Sequence, residues 1–177
     1  SRARPNPART GLTSNDAQTI ALFEGCVASA FDRDTLAATR FLLEALGHRV
    51  VTPAEMLCCG ALPRHAGHAD ATAKIVARTR AGLGALHAAE VVVSASGCYS
   101  ALAEALHPAT TESDMRVVDA SQRIADDPAL VSLRFRPLNR RAALHVPCSQ
   151  INGAHSVHAT RALLSRIPGL AIIELPT

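Results

Sequence analysis

Residues 91–98 read Val-Val-Val-Ser-Ala-Ser-Gly-Cys, a β-branched run that ends at small and polar residues. A continuous apolar run of this kind is typical of a strand buried in a parallel sheet. On either side of it, the apolar spacing predicts helices over 69–88 and 100–106. Strand and helix patterns alternate from residue 19 onward. The sequence therefore predicts an α/β fold, a doubly wound, mainly parallel sheet with helices on both faces.

The remaining elements follow from the same periodicities and from glycine and proline stops. Residues 1–17 contain two prolines and no apolar period, which predicts a linker or flexible arm. Residues 126–140 are expected to be loop or weakly helical. Strands are expected over 19–23, 49–52, 116–119, 142–146 and 171–175, and helices over 34–46, 120–125 and 154–167.

Length and charge narrow the classes of function. The 177 residues suffice for one good-sized α/β core, and acidic and basic residues are mixed to a net charge of +3. No basic stripe is interleaved with aromatic residues, so nucleic acid is not an expected partner. No stretch has the apolar length of a membrane span or of a signal peptide, which predicts a cytoplasmic protein with reduced thiols. Four arginines predict a solvated segment, with docking of an acidic partner as the alternative: Arg134, Arg136, Arg140 and Arg141.

The cysteines carry the clearest chemical signal. Adjacent Cα atoms lie about 3.8 Å apart whereas a relaxed disulfide needs roughly 4.4–6.8 Å, so Cys58 and Cys59 are poor disulfide partners but can give two thiolates to one centre. Cys26, Cys98 and Cys148 each follow a predicted strand, and the adjacent pair lies in the loop after another. Ligands bind where the carboxyl ends of such strands meet. The pattern predicts a thiolate metal site, first of all an iron–sulfur centre, with structural zinc or metal-free buried or redox-active thiols as alternatives.

Glycines and histidines accompany these motifs. Gly25, Gly60 and Gly97 are expected to let the backbone approach the site closely and to leave room for sulfide. A catalytic nucleophile at Cys98 would leave the adjacent cysteine pair unexplained. Four histidines are expected to be ordinary hydrogen-bonding or surface groups, with ligation or proton transfer as the alternative for the first two: His65, His145, His155 and His158.

Taken together, the cysteine motifs resemble a known family. Phe-Glu-Gly-Cys26, Leu-Cys58-Cys59-Gly60, Ser-Gly-Cys98 and His-Val-Pro-Cys148 resemble the cysteine-rich CCG domains of the glycolate oxidase iron–sulfur subunit, over about residues 19–177. Lactate-utilisation proteins, the small subunit of anaerobic glycerol-3-phosphate dehydrogenase and one of the heterodisulfide reductase subunits contain the same domain type.

The resemblance implies an electron-transfer iron–sulfur domain of a multisubunit glycolate or 2-hydroxy-acid oxidoreductase. Electrons would pass from a flavin subunit toward an acceptor such as quinone, and the fragment alone would not be catalytic. A ferredoxin-type module of the parent chain would be a further partner, and partners could hold the complex at the inner membrane. The alternative is a zinc-bound or metal-free scaffold domain of such a complex.

The resemblance also implies a ligand set and a domain organisation. Cys26, Cys58, Cys59 and Cys98 would bind one cluster, expected to be [4Fe–4S] and to be lost easily in an aerobic preparation, with Zn²⁺ as the alternative. Residues 18–140 would form the first CCG-type unit. Residues 141–177 would be the start of a second, truncated unit, with Cys148 as a ligand of an incomplete second site.

One departure from the family pattern bears on the cluster type. A full unit of the family reads Cys, Cys-Cys-Gly and Cys-x-x-Cys, and Ala95 stands where the first cysteine of the last motif would be. A catalytic five-thiolate cluster like that of heterodisulfide reductase would therefore lack a ligand in the first unit.

Overall fold

A four-stranded parallel sheet is the centre of the fold. The computed structural model describes residues 18–107 and 115–175, and the arm predicted for residues 1–17 lies outside them. The strand order is β2-β1-β3-β4, and each neighbouring pair is parallel. The α/β prediction is thus confirmed. The strands are β1 (Thr19–Phe23), β2 (Arg49–Val51), β3 (Glu90–Val93) and β4 (Arg116–Asp119).

Helices cover both faces of this sheet. On one face, Phe23 of β1 packs in a buried cluster with Leu83 and Leu102. On the other face, Leu22 packs in a second cluster with Leu43. Successive residues of one strand thus reach opposite cores, as the period of two requires. The helices are α1 (Cys26–Phe31), α2 (Arg33–Ala45), α3 (Ala61–His65), α4 (Ala69–Gly84), α5 (Ser96–Leu106) and α6 (Ala120–Ala125).

The structure differs from the expected elements mainly at short helices beside the cysteines. The sequence pattern missed α1 and α3, which have six and five residues and are too short to display a helical period. Because α5 begins at Ser96, Cys98 lies in its first turn rather than before it. The long helix α4 ends at Gly84, four residues earlier than expected.

The last part of the chain forms a separate two-stranded parallel sheet. A 3₁₀ helix (Pro128–Ser132) precedes β5 (Arg140–Leu144), and a π-helical turn (Gln150–Ala154) and α7 (Val157–Ser165) lead to β6 (Leu170–Glu174). Within the described residues β5 and β6 pair with each other and not with the larger sheet. Residues of both strands remain partly or fully exposed.

The strand order brings the cysteine-bearing segments together at the carboxyl ends of β1 and β3. The chain moves outward from β1 to β2 and then returns across β1 to β3, so the order reverses between β1 and β3. Ligands of open α/β sheets bind at such a reversal, outside the carboxyl ends of the strands. Cys26 follows β1, and Cys98 follows β3.

Candidate functional site

Four cysteines from three segments of the chain meet at the carboxyl edge of the sheet. The Sγ atoms of Cys26 and Cys58 lie 3.4 Å apart. The thiol of Cys98 donates a hydrogen bond to the sulfur of Cys59. The charges of the other three cysteines also act on Cys98, so the four groups form one electrostatic unit.

The contacts within this thiol set shift its proton affinities. The hydrogen bond from Cys98 lowers the pKa of Cys59 to about 6, although burial opposes the shift. Donating that hydrogen bond raises the pKa of Cys98, and burial adds to the rise. Burial also raises the pKa of Cys58. The lowered pKa favours the thiolate form of Cys59, and the thiolate is the form that binds metals.

Backbone amides point at the sulfur atoms of the adjacent pair. The N–H of Gly60 donates to Cys58 Sγ at 3.4 Å, and the N–H of Ala61 donates to the sulfur of Cys59. Amide hydrogen bonds of this kind tune the potential of an iron–sulfur cluster because they stabilise negative charge on sulfur.

Two of the three glycines singled out in the sequence have a conformational reason. Gly25 has φ +67°, and a Cβ there would lie 3.2 Å from the Phe23 ring and 3.9 Å from Cys98 Sγ. Gly60 has φ +78° and immediately precedes α3 as its N-cap residue. At Gly97 a Cβ would meet no described atom within 4 Å, so the close backbone approach to a cluster that is expected there stays a prediction.

The donor set fits a thiolate-ligated cluster in number and type. Four thiols are available, one of them with a lowered pKa, and amides and glycine surround them. Within residues 18–107 and 115–175, no three histidine, cysteine or carboxylate side chains are grouped closely enough to hold one metal ion. The thiols stand instead as two contacting pairs, Cys26 with Cys58 and Cys59 with Cys98.

Comparison with known families identifies this arrangement. The model of the cysteine-rich domain named CCG matches residues 20–103, which include all four thiols. Residues 20–103 are thus similar to a CCG cysteine-rich domain. The resemblance drawn from the four motifs is confirmed.

Similar proteins extend the match beyond the CCG domain. A subunit of the fumarate reductase (CoM/CoB) of Methanothermobacter marburgensis is 27% identical over 91% of this chain and 32% of its own length. The probable glycolate oxidase iron-sulfur subunit of Bacillus subtilis is 29% identical over 88% of this chain and 37% of its own length. Lactate utilization protein A of Macrococcus caseolyticus is 28% identical, over 89% and 66% respectively.

The chain thus spans about a third to two thirds of the length of these relatives. No solved structure matches it. In the part of the chain that the structure describes, no helix has the length and apolar character needed to cross a membrane.

The fifth cysteine lies beside the CCG domain. Cys148 is exposed and follows β5. The next residue is Ser149, whose Oγ lies within hydrogen-bond distance, 2.9 Å, of Ser96 Oγ. Ser96 lies two residues before Cys98. The structure therefore packs the Cys148 loop against the start of α5 without placing Cys148 among the four thiols. The four histidines considered in the sequence are all exposed: His65, His145, His155 and His158.

The sequence pattern did not predict which residues of α4 support the loop of residues 57–60. Thr79 donates its hydroxyl to the carbonyl oxygen of Cys58 at 2.7 Å, and Gly82 lies against Leu57. A glycine inside a helical pattern is a detectable signal of close packing. Thr79 gives no such signal, because a helical threonine commonly bonds to its own helix.

Proposed function

We propose that the chain is an electron-transfer iron–sulfur domain of a multisubunit oxidoreductase. The observation that carries the proposal is the convergence of Cys26, Cys58, Cys59 and Cys98 at the strand-order reversal. The names of the relatives, a fumarate reductase subunit and an iron-sulfur subunit, support it. An iron–sulfur cluster bound by these four thiolates would accept and release single electrons.

Each residue of the site would contribute in a different way to binding a cluster. The lowered pKa of Cys59 makes its proton easier to remove, which favours its sulfur as a ligand. The amides of Gly60 and Ala61 stabilise the charge on sulfur. Gly25 keeps the space beside Cys98 free of a side chain. Cys59 is only 5% exposed, which limits the access of water to its sulfur.

The finer assignment follows the relatives. We propose that the substrate oxidised by the complex is glycolate or another 2-hydroxy acid, as the names of the glycolate oxidase and lactate utilization relatives suggest. In this proposal a flavin subunit delivers the electrons, a ferredoxin-type module relays them, and quinone receives them. The cytoplasm, where thiols stay reduced, suits the site, and partner subunits would hold the complex at the inner membrane.

We also propose two units within the chain, 18–140 and 141–177. The second sheet supports this division, since β5 and β6 pair only with each other in the described residues. Cys148 comes soon after β5, much as Cys26 comes soon after β1. Cys148 is thus proposed as the first ligand of a second site.

Metal analysis of anaerobically purified protein tests the proposal. We expect a brown protein that contains iron and acid-labile sulfide in equal amounts and loses its colour on reduction with dithionite. A colourless protein with one zinc per chain would instead establish the scaffold alternative and overturn the electron-transfer proposal.

A further inference from the structure

The loop of residues 57–60, which carries the adjacent cysteines, rests on one face of α4. At one end, a Cβ on Gly82 would lie 2.9 Å from Leu57 Cδ1, so the glycine makes room for that leucine. At the other end, methyl groups of Val76 and Thr72 lie 3.4 Å and 3.6 Å from where a Cβ on Gly60 would be. The loop is therefore held at both ends by α4.

Thr79 lies between these two ends and makes the polar contact. Its side chain belongs to a residue that is only 1% exposed, and Leu83 is the other buried residue of α4. A buried hydroxyl without a hydrogen bond would be costly. Thr79 Oγ1 donates to the carbonyl oxygen of Cys58 at 2.7 Å, which satisfies the hydroxyl.

A second threonine of the same helix behaves in the ordinary way. Thr72 Oγ1 donates to the carbonyl oxygen of His68, four residues earlier, at 2.8 Å. This bond within the helix is the usual one for a helical threonine. Thr79 instead reaches across to the cysteine loop. Valine would fill the same volume at either position, so the hydroxyl of Thr79 has a role that packing alone does not explain.

We propose that Thr79 is a positioning residue that fixes the peptide unit between Cys58 and Cys59. The carbonyl oxygen of Cys58 lies in the plane of that peptide, so holding the oxygen fixes the rotation of the plane. A fixed plane restricts ψ of Cys58 and φ of Cys59, the two backbone angles that adjoin it, and so limits the movement of the backbone that carries both thiols. The positioning belongs to the protein itself, whereas its consequence for a cluster rests on the proposed function.

Three variants separate this role from simple packing. Thr79→Val removes the donor at constant volume, Thr79→Ser keeps the donor, and Thr72→Val is the matched control in the same helix. In iron-free, reduced protein, hydrogen–deuterium exchange of residues 57–61 should quicken about fivefold in Thr79→Val, the equilibrium equivalent of one neutral hydrogen bond. The other two variants should stay within about twofold of wild type, well below that change. Exchange of β3 reports global stability and should change less than exchange of the loop.

The second readout is the electron paramagnetic resonance spectrum of the reduced, iron-loaded chain. Thr79→Val should alter the spectrum, and Thr79→Ser should restore it. If loop exchange is faster but the spectrum is unaltered, the proposal that the loop position affects the cluster would be overturned. Loop exchange within twofold of wild type in Thr79→Val, or an equal rise in Thr72→Val, would overturn the positioning role itself. Wild-type protein that binds no iron would defeat the proposed function and leave the exchange result standing.

Discussion

The four-stranded sheet has different side chains at its amino edge, where the strands begin, and at its carboxyl edge, where they end. At the carboxyl edge, cysteine loops bring together four thiols, supported by glycines and backbone amides. At the amino edge, charged side chains form a network around the buried Glu90, the first residue of β3. The same sheet thus has one edge closed by ion pairs and one edge with ligand-type groups.

The amino-edge network satisfies its charges internally. Glu90, only 1% exposed, accepts from Arg123 Nε at 2.5 Å and from Arg116 Nη2 at 3.0 Å. Arg123 Nη1 donates to Asp127 Oδ2 at 2.6 Å. His48 Nε2 lies 2.6 Å from the same oxygen. These contacts join the starts of β3 and β4 to α6 and to the turn before β2.

The difference indicates which edge serves stability and which serves chemistry. Charges at the amino edge already have partners, and removing a shared partner leaves buried carboxylates with fewer compensating contacts. The thiols at the carboxyl edge make hydrogen bonds to each other. Such bonds are weak compared with the bonds that thiolates make to a metal. Substitutions at the two edges should therefore affect different measurements.

The largest effect is expected at the carboxyl edge. Cys98→Ser should remove most of the bound iron, because a cluster held by four thiolates loses a ligand, while the free energy of unfolding of the iron-free protein changes little. Iron analysis and urea unfolding measure the two quantities. The control is Thr72→Val, which should keep its iron, because the Thr72 hydroxyl bonds within α4. Full iron content in Cys98→Ser would refute the ligand set.

The next largest effect is expected at the amino edge. Arg123→Met should lower the free energy of unfolding by about 3–5 kcal/mol, because Glu90 and Asp127 both lose a buried partner. The matched control Arg78→Met breaks an exposed pair with Glu55 and should cost at most about 1 kcal/mol. Iron per folded molecule should stay unchanged in both. Equal destabilisation by the two variants would remove the contrast between the edges.

A smaller effect is expected from the backbone at the thiol site. Gly25→Ala should cost about 1–3 kcal/mol, because φ +67° and ψ 164° define a conformation that is nearly exclusive to glycine. The control Gly97→Ala should stay within about 0.5 kcal/mol, since that position is open. Urea unfolding measures both variants. Comparable costs would show that strain does not distinguish the two glycines.

The smallest effect is a change in pH dependence. Burial tends to raise the pKa of Asp127, but hydrogen bonds with His48, Arg123 and the Ala129 amide outweigh it and hold the pKa below its usual range. A lowered carboxyl pKa stabilises the fold above the unfolded-state value of about 4, and this stability is lost as the pH falls through the folded-state value.

Wild-type protein should therefore lose more stability than Asp127→Asn between about pH 5 and pH 2. Urea midpoints at the two pH values measure the difference. Parallel loss in the two proteins would show that Asp127 does not contribute to acid unfolding.

Local sequence patterns predicted the sheet and the thiol edge but not the amino edge. Val91, Val92 and Val93 mark a buried strand without any tertiary information, and a cysteine that follows a strand is assigned to the carboxyl edge by topology. The network at the amino edge joins His48, Glu90 and residues of α6, which share no local period. Their proximity arises only from the folded chain.

The same limit applies within the site. The motifs predicted which cysteines converge, yet the pairing of Cys26 with Cys58 and of Cys59 with Cys98 depends on short helices that have no detectable period. The hydroxyl of Thr79 could not be assigned to the loop, because nothing in the sequence distinguishes it from the hydroxyl of Thr72.

X-ray absorption at the iron and zinc edges of anaerobically purified protein tests most directly whether the carboxyl edge holds an iron–sulfur cluster. We predict iron coordinated by sulfur with a second shell of iron neighbours, and loss of that second shell in Cys98→Ser. Zinc coordinated by four sulfurs, or iron without iron neighbours, would contradict the assignment.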